Sequence, residues 1–221
     1  MAGTAASLSV RQIYGVNSNV IDNLSFCDDD TVVYVAGHSI VLYNKADKRQ
    51  RFISQGQDKD VSDCITAFAS GCGKRYCAVA ERGDHPQIHV YDLRTFRKKK
   101  TLSSINAESK EFICMEFSAD DQFLLTLTCG PDWALGVWNW NKSKLMANIQ
   151  VSSAPNALIT RCSFSPIDPT VVCASGRDTI RFFRLSDKEL RPLQVDQGTM
   201  EYNFISHCWL KHPEDHLIAG T

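Results

Sequence analysis

The side chains that could bind a metal ion are densest near the end of the sequence. His207, Cys208, His212 and His216 stand close together there, and no cysteine pair in the chain has C-x2-C spacing. A zinc site needs its ligands to converge on one point. His207 falls in a predicted strand whereas His212 and His216 flank a polar turn, so we predict an ordinary strand and turn, with no metal and no cofactor. A metal-dependent hydrolase is the alternative, and bound metal that is lost on replacing His212 and His216 would support it.

A phosphate-binding loop is suggested by residues 71–74, Gly-Cys-Gly-Lys. The Walker pattern requires a glycine where Phe68 stands and a serine or threonine where Arg75 stands, so these residues do not match it. Asp120 and Asp121 form a pair of carboxylates, but they fall in a tight turn, where aspartate is favoured for its hydrogen bonds to the backbone. We therefore predict a turn at residues 71–74, no catalytic residues and no enzyme activity.

Electrostatic docking is the chemistry that the sequence favours. Thirteen of the 24 basic residues fall in four short segments. Clusters of like charge can steer and hold a partner of opposite charge. Whether the segments form one surface depends on the elements that carry them. Their basic residues are Lys45, Lys48, Arg49 and Arg51; Arg94, Arg97, Lys98, Lys99 and Lys100; Lys142 and Lys144; and Lys188 and Arg191.

The element that carries these segments is clearest at residues 112–149. Four apolar runs, at residues 113–117, 123–128, 134–140 and 145–149, are separated by Ser, Asp, Gly, Pro and Asn residues. Runs of about 4–8 residues that are rich in aromatic and branched side chains and bounded by turn residues predict β-strands. The stretch is therefore predicted to be a four-stranded unit.

This unit repeats along the chain. An aromatic residue near the end of the first strand recurs at intervals of 42, 49, 47 and 45 residues, as Phe26, Phe68, Phe117, Phe164 and Trp209. An aromatic residue of the third strand recurs in phase with it, as Tyr43, Tyr91, Trp138 and Phe182. A period of about 40–50 residues with four strands predicts a β-propeller of the WD40 type. The Trp-Asp signature survives only as Tyr91-Asp92 and Trp138-Asn139, so the repeats are degenerate, and a β-sandwich with accidental spacing is the alternative.

We predict an all-β fold, an incomplete WD40-type β-propeller of about four and a half four-stranded blades. The predicted blades cover residues 20–52, 64–102, 112–149 and 158–193, and a truncated fifth covers residues 204–221. Residues 1–9 are expected to form a disordered leader, and residues 10–16 a strand that completes the last blade of the ring. Because four and a half blades do not close a usual ring and an open strand edge is a liability, we expect an N-terminal piece of a larger protein.

A propeller would gather the basic segments on one face. The first-to-second and third-to-fourth turns of each blade lie on that face, and we assign the basic segments to the third-to-fourth turns, toward the outside of the ring. The first-to-second turns carry acidic residues nearer the centre, namely Asp28, Asp29, Asp30, Asp120, Asp121 and Asp168. The alternative is that each basic segment is a solvated turn that keeps the blade edge soluble. We predict that an acidic partner binds the outer zone at Arg49, Arg51, Arg94, Arg97, Lys98, Lys99, Lys100, Lys142 and Lys144.

The composition excludes several classes of protein. The 221 residues include 24 Lys and Arg against 25 Asp and Glu, and the resulting net charge of −1 gives no global attraction to nucleic acid or to an anionic membrane. No apolar run reaches the ~18 residues of a membrane-spanning helix, and the start lacks the features of a secretory signal. The nine cysteines are an odd number and lie mostly in or beside predicted strands, which favours a reducing compartment such as the cytosol.

Residues 12–44, QIYGVNSNVIDNLSFCDDDTVVYVAGHSIVLYN, resemble the N-terminus of the cilia- and flagella-associated protein 57 family. This is a WD-repeat family of the ciliary axoneme. Residues 51–53, 112–125 (FICMEFSADDQFLL) and 162–176 (CSFSPIDPTVVCASG) extend the resemblance over nearly the whole chain.

The resemblance implies a structural component of motile axonemes, located in the cytoskeleton of the cilium or flagellum. Such a protein would associate with other axonemal proteins and with inner-arm dynein and regulatory-complex subunits. Tubulin, which has an acidic surface, is a further candidate partner. Members carry a long coiled coil after the propellers, and no catalytic or binding residue of the family can be transferred to this sequence. An adaptor in intraflagellar transport or in a ubiquitin ligase is the alternative. RNA binding through residues 94–100 is another, which the overall charge opposes.

Overall fold

Four-stranded antiparallel sheets follow one another along the chain. A computed structural model describes residues 10–54, 64–103, 108–154, 156–195, 202–210 and 216–221, so the predicted leader lies outside the described residues. Each sheet is a meander in which consecutive strands are neighbours. Within these ranges the structure is all-β with repeated four-stranded sheets, so the predicted fold class is confirmed.

The strands have the following bounds. Blade 1 contains β1 (Ser25–Phe26), β2 (Thr31–Ala36), β3 (Ser39–Asn44) and β4 (Arg49–Ser54). Blade 2 contains β5 (Ile65–Ser70), β6 (Tyr76–Glu81), β7 (Gln87–Asp92) and β8 (Arg97–Ser103). Blade 3 contains β9 (Phe112–Phe117), β10 (Leu124–Thr128), β11 (Ala134–Asn139) and, after a short 3-10 helix η1 (Trp140–Lys142), β12 (Lys144–Gln150). Blade 4 contains β13 (Ile159–Phe164), β14 (Val171–Gly176), β15 (Thr179–Ser186) and β16 (Glu189–Leu193), and a two-stranded sheet of β17 (Ser206–Trp209) and β18 (Leu217–Gly220) follows.

The cores lie between neighbouring blades. In β6 Cys77 and Val79 pack in a cluster shared with blade 1, whereas Ala78 and Ala80 pack in a cluster shared with blade 3. A third cluster joins blades 3 and 4. Successive side chains of a strand point to opposite faces of its sheet. A strand that lies between two blades is therefore apolar on both faces, which explains the continuous apolar runs in the sequence.

The first strands lie at the inner side of the molecule and the fourth strands at the outer side. The strand β9 contacts both β5 and β13, the first strands of its neighbours. The turn between the third and fourth strands is built alike in the first three blades, where the last residue of the third strand accepts backbone hydrogen bonds from the turn. That residue is Asn44, Asp92 or Asn139, the position that the Trp-Asp signature occupies.

Residues 10–16 do not form the predicted strand in this structure, whereas their completion of the last blade of the ring stays a prediction. Val10, Tyr14 and Val16 are exposed. The amide of Gln50 on β4 binds both backbone groups of Ile13, accepting from its N–H at 2.7 Å and donating to its carbonyl at 3.0 Å. An isolated segment needs a partner edge to become a strand; here one side chain provides the hydrogen bonds of Ile13 instead.

Candidate functional site

The turn between β7 and β8 carries the densest positive charge. Asp92, the last residue of β7, is buried, and its Oδ1 accepts hydrogen bonds from the N–H groups of Arg94 and Thr95 at 2.9 and 3.1 Å. Its Oδ2 accepts two more from the Arg75 guanidinium, at 3.1 and 3.2 Å. Burial acts to raise the pKa of Asp92, but these amides and Arg75 outweigh it and hold the pKa below its usual value. The charge of Asp92 is thus balanced by Arg75 and does not neutralise the exposed Arg94.

The following segment is a strand and not the turn that the sequence predicts. Arg97, Lys98, Lys99 and Lys100 begin β8, the outer strand of blade 2. The first three are exposed and Lys100 is half-buried. Arg49 and Arg51, also assigned to a turn, lie exposed on β4, the outer strand of blade 1. The edge position explains the error, because a strand with one solvated face and one free edge lacks the apolar alternation by which strands are recognised.

Residues of blades 1 and 3 adjoin β8. The Arg51 guanidinium lies over the ring of Phe96, in the turn before β8, at 5.6 Å from its centroid. On the other side η1, which carries Lys142, lies against β8. Lys144 is exposed at the start of β12. We call this set the basic rim, and it consists of Arg49, Arg51, Arg94, Arg97, Lys98, Lys99, Lys100, Lys142 and Lys144.

Four basic residues of the predicted zone lie outside the basic rim, and acidic neighbours neutralise two of them, Lys45 and Arg191. Lys45 lies 3.6 Å from Asp30. Arg191 lies 3.7 Å from Asp187 and 3.5 Å from Glu189. In the described part of the chain, the basic rim shows one such contact, a distant one of 3.9 Å between Lys99 and Asp92. Positive charge is therefore concentrated around blade 2 and is not spread evenly over four blades.

The sequence contains a signal for this difference that the charge count missed. In blade 4 acidic residues 187 and 189 stand beside Arg191, whereas residues 93–103 and 139–150 contain no acidic residue. Acidic residues of the inner zone also form ion pairs within the molecule. Besides the Asp30 pair, Asp168 lies 3.4 Å from Arg184.

The loop at residues 71–74 is a turn, and a carboxylate of the next blade fills it. Asp121 accepts hydrogen bonds from the N–H groups of Cys72 and Gly73 at 2.7 and 2.8 Å. A Cβ atom on Gly71 or Gly73 would come within 2.9 or 2.7 Å of that carboxylate. The glycines thus admit the aspartate, and the amides that could have bound a phosphate are occupied.

The histidine cluster does not assemble as a metal site in the described residues, where no three His, Cys, Asp or Glu side chains gather as ligands. Buried His207 contacts Ser163 Oγ through Nε2 and Ser175 Oγ through Nδ1, both at 2.6 Å. Trp209 Nε1 donates to the same Ser163 oxygen at 2.8 Å. Burial and the positive charge of Arg161 lower the pKa of His207 to about 4, so the ring is neutral. Cys208 is exposed, and His212 lies outside the described residues.

In the part of the chain that the structure describes, no helix is both long and apolar enough to span a bilayer. The polar networks of the described residues tie strands and turns together, as at His207 and Asp121. The prediction that the protein is not an enzyme remains a prediction.

The fold and its repeats define a WD-repeat β-propeller protein. The chain is 32% identical over 212 residues, 95% of its length, to cilia- and flagella-associated protein 57 of Mus musculus. It is 28% identical over 189 residues, 80% of its length, to cilia- and flagella-associated protein 57 C of Tetrahymena thermophila. It is 24% identical over 179 residues, 81% of its length, to cilia- and flagella-associated protein 44 of Mus musculus.

These similarities confirm the resemblance to the cilia- and flagella-associated protein 57 family, and the chain is a relative of these WD-repeat proteins. No protein-family model matches the chain. The matched region spans 16%, 14% and 9% of the three relatives in the order given. Their names associate these relatives with cilia and flagella, which supports a ciliary role.

Proposed function

We propose that the protein is a structural scaffold or adaptor of the motile ciliary axoneme. In this proposal it docks inner-arm dynein and regulatory complexes on doublet microtubules, and the basic rim is one of its docking surfaces. The observation that carries the proposal is the concentration of positive charge on the outer strands and turns of consecutive blades, where the described residues show one acidic contact, that of Lys99 with Asp92. The ciliary relatives support the location.

The architecture suits a scaffold. Each blade is fixed to its neighbour by a buried apolar cluster, so side chains on the outer strands are presented by a rigid frame. Docking onto a preformed surface avoids the cost of ordering a flexible one. Charge complementarity at such a surface sets the orientation and the association rate of an acidic partner.

The test is fractionation of the intact tagged protein from ciliated cells. Membranes are stripped with detergent, and the axonemes are then extracted with salt. We expect the protein to stay with the axoneme and to leave only in the salt washes that release dynein, or in harsher ones. Release with the detergent-soluble matrix would contradict the proposal and would favour a transport or cytosolic adaptor.

A further inference from the structure

We propose that the basic rim recognises an extended, glutamate-rich protein segment, and that Phe96 positions Arg51 for this contact. The inference rests on the proposed docking function for its biological setting. It adds the chemistry of the partner and the place where the partner lies. We call that place the groove; it is the seam between the outer strands of blades 1 and 2, where Arg51 lies over Phe96.

The register of the strands directs basic side chains into this groove. Arg51 stands opposite Leu42, and Leu42 packs in the cluster shared by blades 1 and 2. Lys98 stands opposite Tyr91, which packs in the same cluster. Directly opposed residues of an antiparallel pair share a face of the sheet. Arg51 of blade 1 and Lys98 of blade 2 therefore face each other across the groove, with Phe96 at its end.

An extended partner fits the linear arrangement of the charges. The four basic residues at positions 97–100 are consecutive on one strand, which covers about 10 Å at 3.3 Å per residue. Lys100 stands opposite Val90, which packs toward blade 3, so the line of charge continues toward Lys142. A globular partner with a flat surface would contact only the outermost of these side chains. An extended chain can follow them from one blade to the next.

The partner is held by side chains rather than by strand addition. The pairing of β7 with β8 shifts between Val90 and Tyr91, so Lys99 is the extra residue of a β-bulge. Bulges and lysines on an outer strand are devices that prevent another strand from pairing with it. The free edge of β8 is thus protected against an added strand, while its charges stay accessible.

Carboxylates fit this surface better than nucleic acid or a membrane does. Binding of single-stranded nucleic acid uses aromatic faces on which bases stack. The aromatic ring of the groove, Phe96, is half-buried and has Arg51 over it. Membrane association would need apolar side chains among the charges. None of the large apolar side chains that are exposed in the described ranges falls within residues 45–54, 92–103 or 139–150.

Phe96 stands in a backbone conformation that disfavours it. Its φ of 59° lies in the left-handed region, where bulky residues are uncommon. Lys48 and Ser143 occupy the corresponding turn positions of blades 1 and 3, with φ of 54° and 50°. A glycine would adopt this turn without strain, so the aromatic ring is explained by its contacts, which are the Arg51 guanidinium and the apolar cluster shared by blades 1 and 2. Phe96 is therefore a positioning residue of the groove.

The test measures binding of a fluorescein-labelled peptide of about ten glutamates to the intact protein by anisotropy at low salt. The rim variant is Arg51→Gln, Arg97→Gln and Lys98→Gln together. The matched control is Lys45→Gln, Arg184→Gln and Arg191→Gln, which removes the same charge from residues already paired with acidic neighbours. We expect about a tenfold loss of affinity in the rim variant, from three exposed charge contacts. The control should lose less than about twofold.

The Phe96→Leu variant separates positioning from stability, because it leaves the charge unchanged and keeps an apolar side chain against the cluster between blades 1 and 2, but removes the ring beneath Arg51. We expect about a threefold loss of affinity with an unchanged melting temperature, since one contact is loosened. Unchanged affinity would remove Phe96 from the proposal. A lower melting temperature with full affinity would show that its role is structural only.

Three outcomes would overturn the inference as a whole. They are absent binding of the glutamate peptide, an equal loss in the rim and control variants, and tighter binding of a uridine oligomer or of phosphatidylserine vesicles than of the peptide. Each is separable from a failure of the scaffold proposal. A protein that stays on axonemes without binding the peptide is still a scaffold, whereas a protein that binds the peptide but leaves with the matrix is not one.

Discussion

At the scale of single residues, Asp121 and His207 form contacts between neighbouring sheets that no local sequence pattern predicts. Asp121, in the turn between β9 and β10, has a left-handed backbone with φ of 57° and places its carboxylate in the turn of the preceding blade. Its backbone carbonyl accepts a hydrogen bond from Trp140 Nε1 at 2.6 Å. His207 joins the two-stranded sheet to blade 4 through two serines.

Replacing Asp121 by alanine should lower the free energy of unfolding by about 2 kcal/mol, because hydrogen bonds to a charged group are worth more than neutral ones and two of them are lost. Urea unfolding of the variant measures this change. The control is Asp84→Ala, which removes an exposed ion pair with Lys110 and should have no measurable effect. An equal loss in both variants would contradict the role assigned to the glycine turn.

His207 should make stability depend on pH in the acid range. The pKa of this histidine is about 4 in the folded protein, against a model-peptide value of 6.5. Between these values the unfolded chain binds a proton that the folded chain does not. The contribution of His207 to the free energy of unfolding should therefore decrease as the pH falls from about 6.5 to about 4, by about 3 kcal/mol.

Urea unfolding between pH 7 and pH 4 measures this dependence. Between pH 7 and pH 4 the change in the free energy of unfolding should differ from that of the parent protein by about 3 kcal/mol in His207→Gln and should match it in the control His85→Gln, whose side chain is exposed. A His207→Gln variant with the pH dependence of the parent protein would assign the acid sensitivity to other groups.

At the scale of elements, Trp138 shows how a third strand is held in its blade. Its buried ring packs in the cluster between blades 2 and 3, and its Nε1 donates to Thr126 Oγ1 at 3.1 Å. We expect Trp138→Ala to lower the free energy of unfolding by roughly 3–5 kcal/mol, since a large buried ring leaves a cavity. Trp138→Phe should lower it less, because it keeps most of the packing. Urea unfolding of both compares the two effects, and equal values would mean that the cavity is not the main cost.

The elements differ in how far the sequence could predict them. The inner strands could be recognised because apolar runs such as residues 124–128 are bounded by turn residues and repeat in phase. The outer strand β8 could not, because its basic start resembles a solvated turn. The strand predicted at residues 10–16 is not formed, because the backbone of Ile13 bonds the side chain of Gln50 and not the edge of a strand.

The candidate site was predictable in composition but not in arrangement. Its nine basic residues could be selected from their clustering alone. The neutralisation of Arg191 could have been predicted from the neighbouring residues 187 and 189, whereas that of Lys45 by Asp30 depends on the pairing of strands that brings two turns together. The approach of Arg51 to Phe96 is of the same kind, because it joins two blades. Binding of a partner at these residues stays a prediction.

At the scale of the whole molecule, charged residues meet where blades 1, 3 and 4 approach one another. Arg161 on β13 bonds Asp22, which precedes β1, with 2.8 Å between Nη2 and Oδ2. Glu116 on β9 lies nearby, and burial raises its pKa to about 8 against the opposing charge of Arg161. A contact between residues 139 positions apart thus links the first blade to the fourth.

Glu116 should make the molecule less stable at neutral than at acidic pH, opposite in sign to the effect of His207. The unfolded chain ionises this carboxyl near its model value of 4.5, whereas the folded chain keeps the proton up to about pH 8. The contribution of Glu116 to the free energy of unfolding should therefore decrease as the pH rises from about 4.5 to about 8. Glu116→Gln should remove this contribution and raise the free energy of unfolding at pH 8 by about 4 kcal/mol.

Urea unfolding at pH 5 and pH 8 measures the effect of Glu116. The control is Glu108→Gln, at an exposed position, whose stability should change between pH 5 and pH 8 as that of the parent protein does. If Glu116→Gln is no more stable than the parent protein at pH 8, the carboxyl is already ionised there and the argument from burial is wrong.

The alternation of side chains within each strand has a consequence for how such a chain can diverge. In the described part of the chain each apolar cluster is shared by two adjacent blades, so a substitution in one cluster affects one pair of blades. Each blade can drift in sequence on its outer strand while its inner contacts keep the stack intact. The repeats can therefore become specialised one at a time, with blade 2 acquiring uncompensated cations while blade 4 keeps its own counter-charges. Sequence differences between the blades would then reflect changes to individual surfaces, each made without changes in the neighbouring blades.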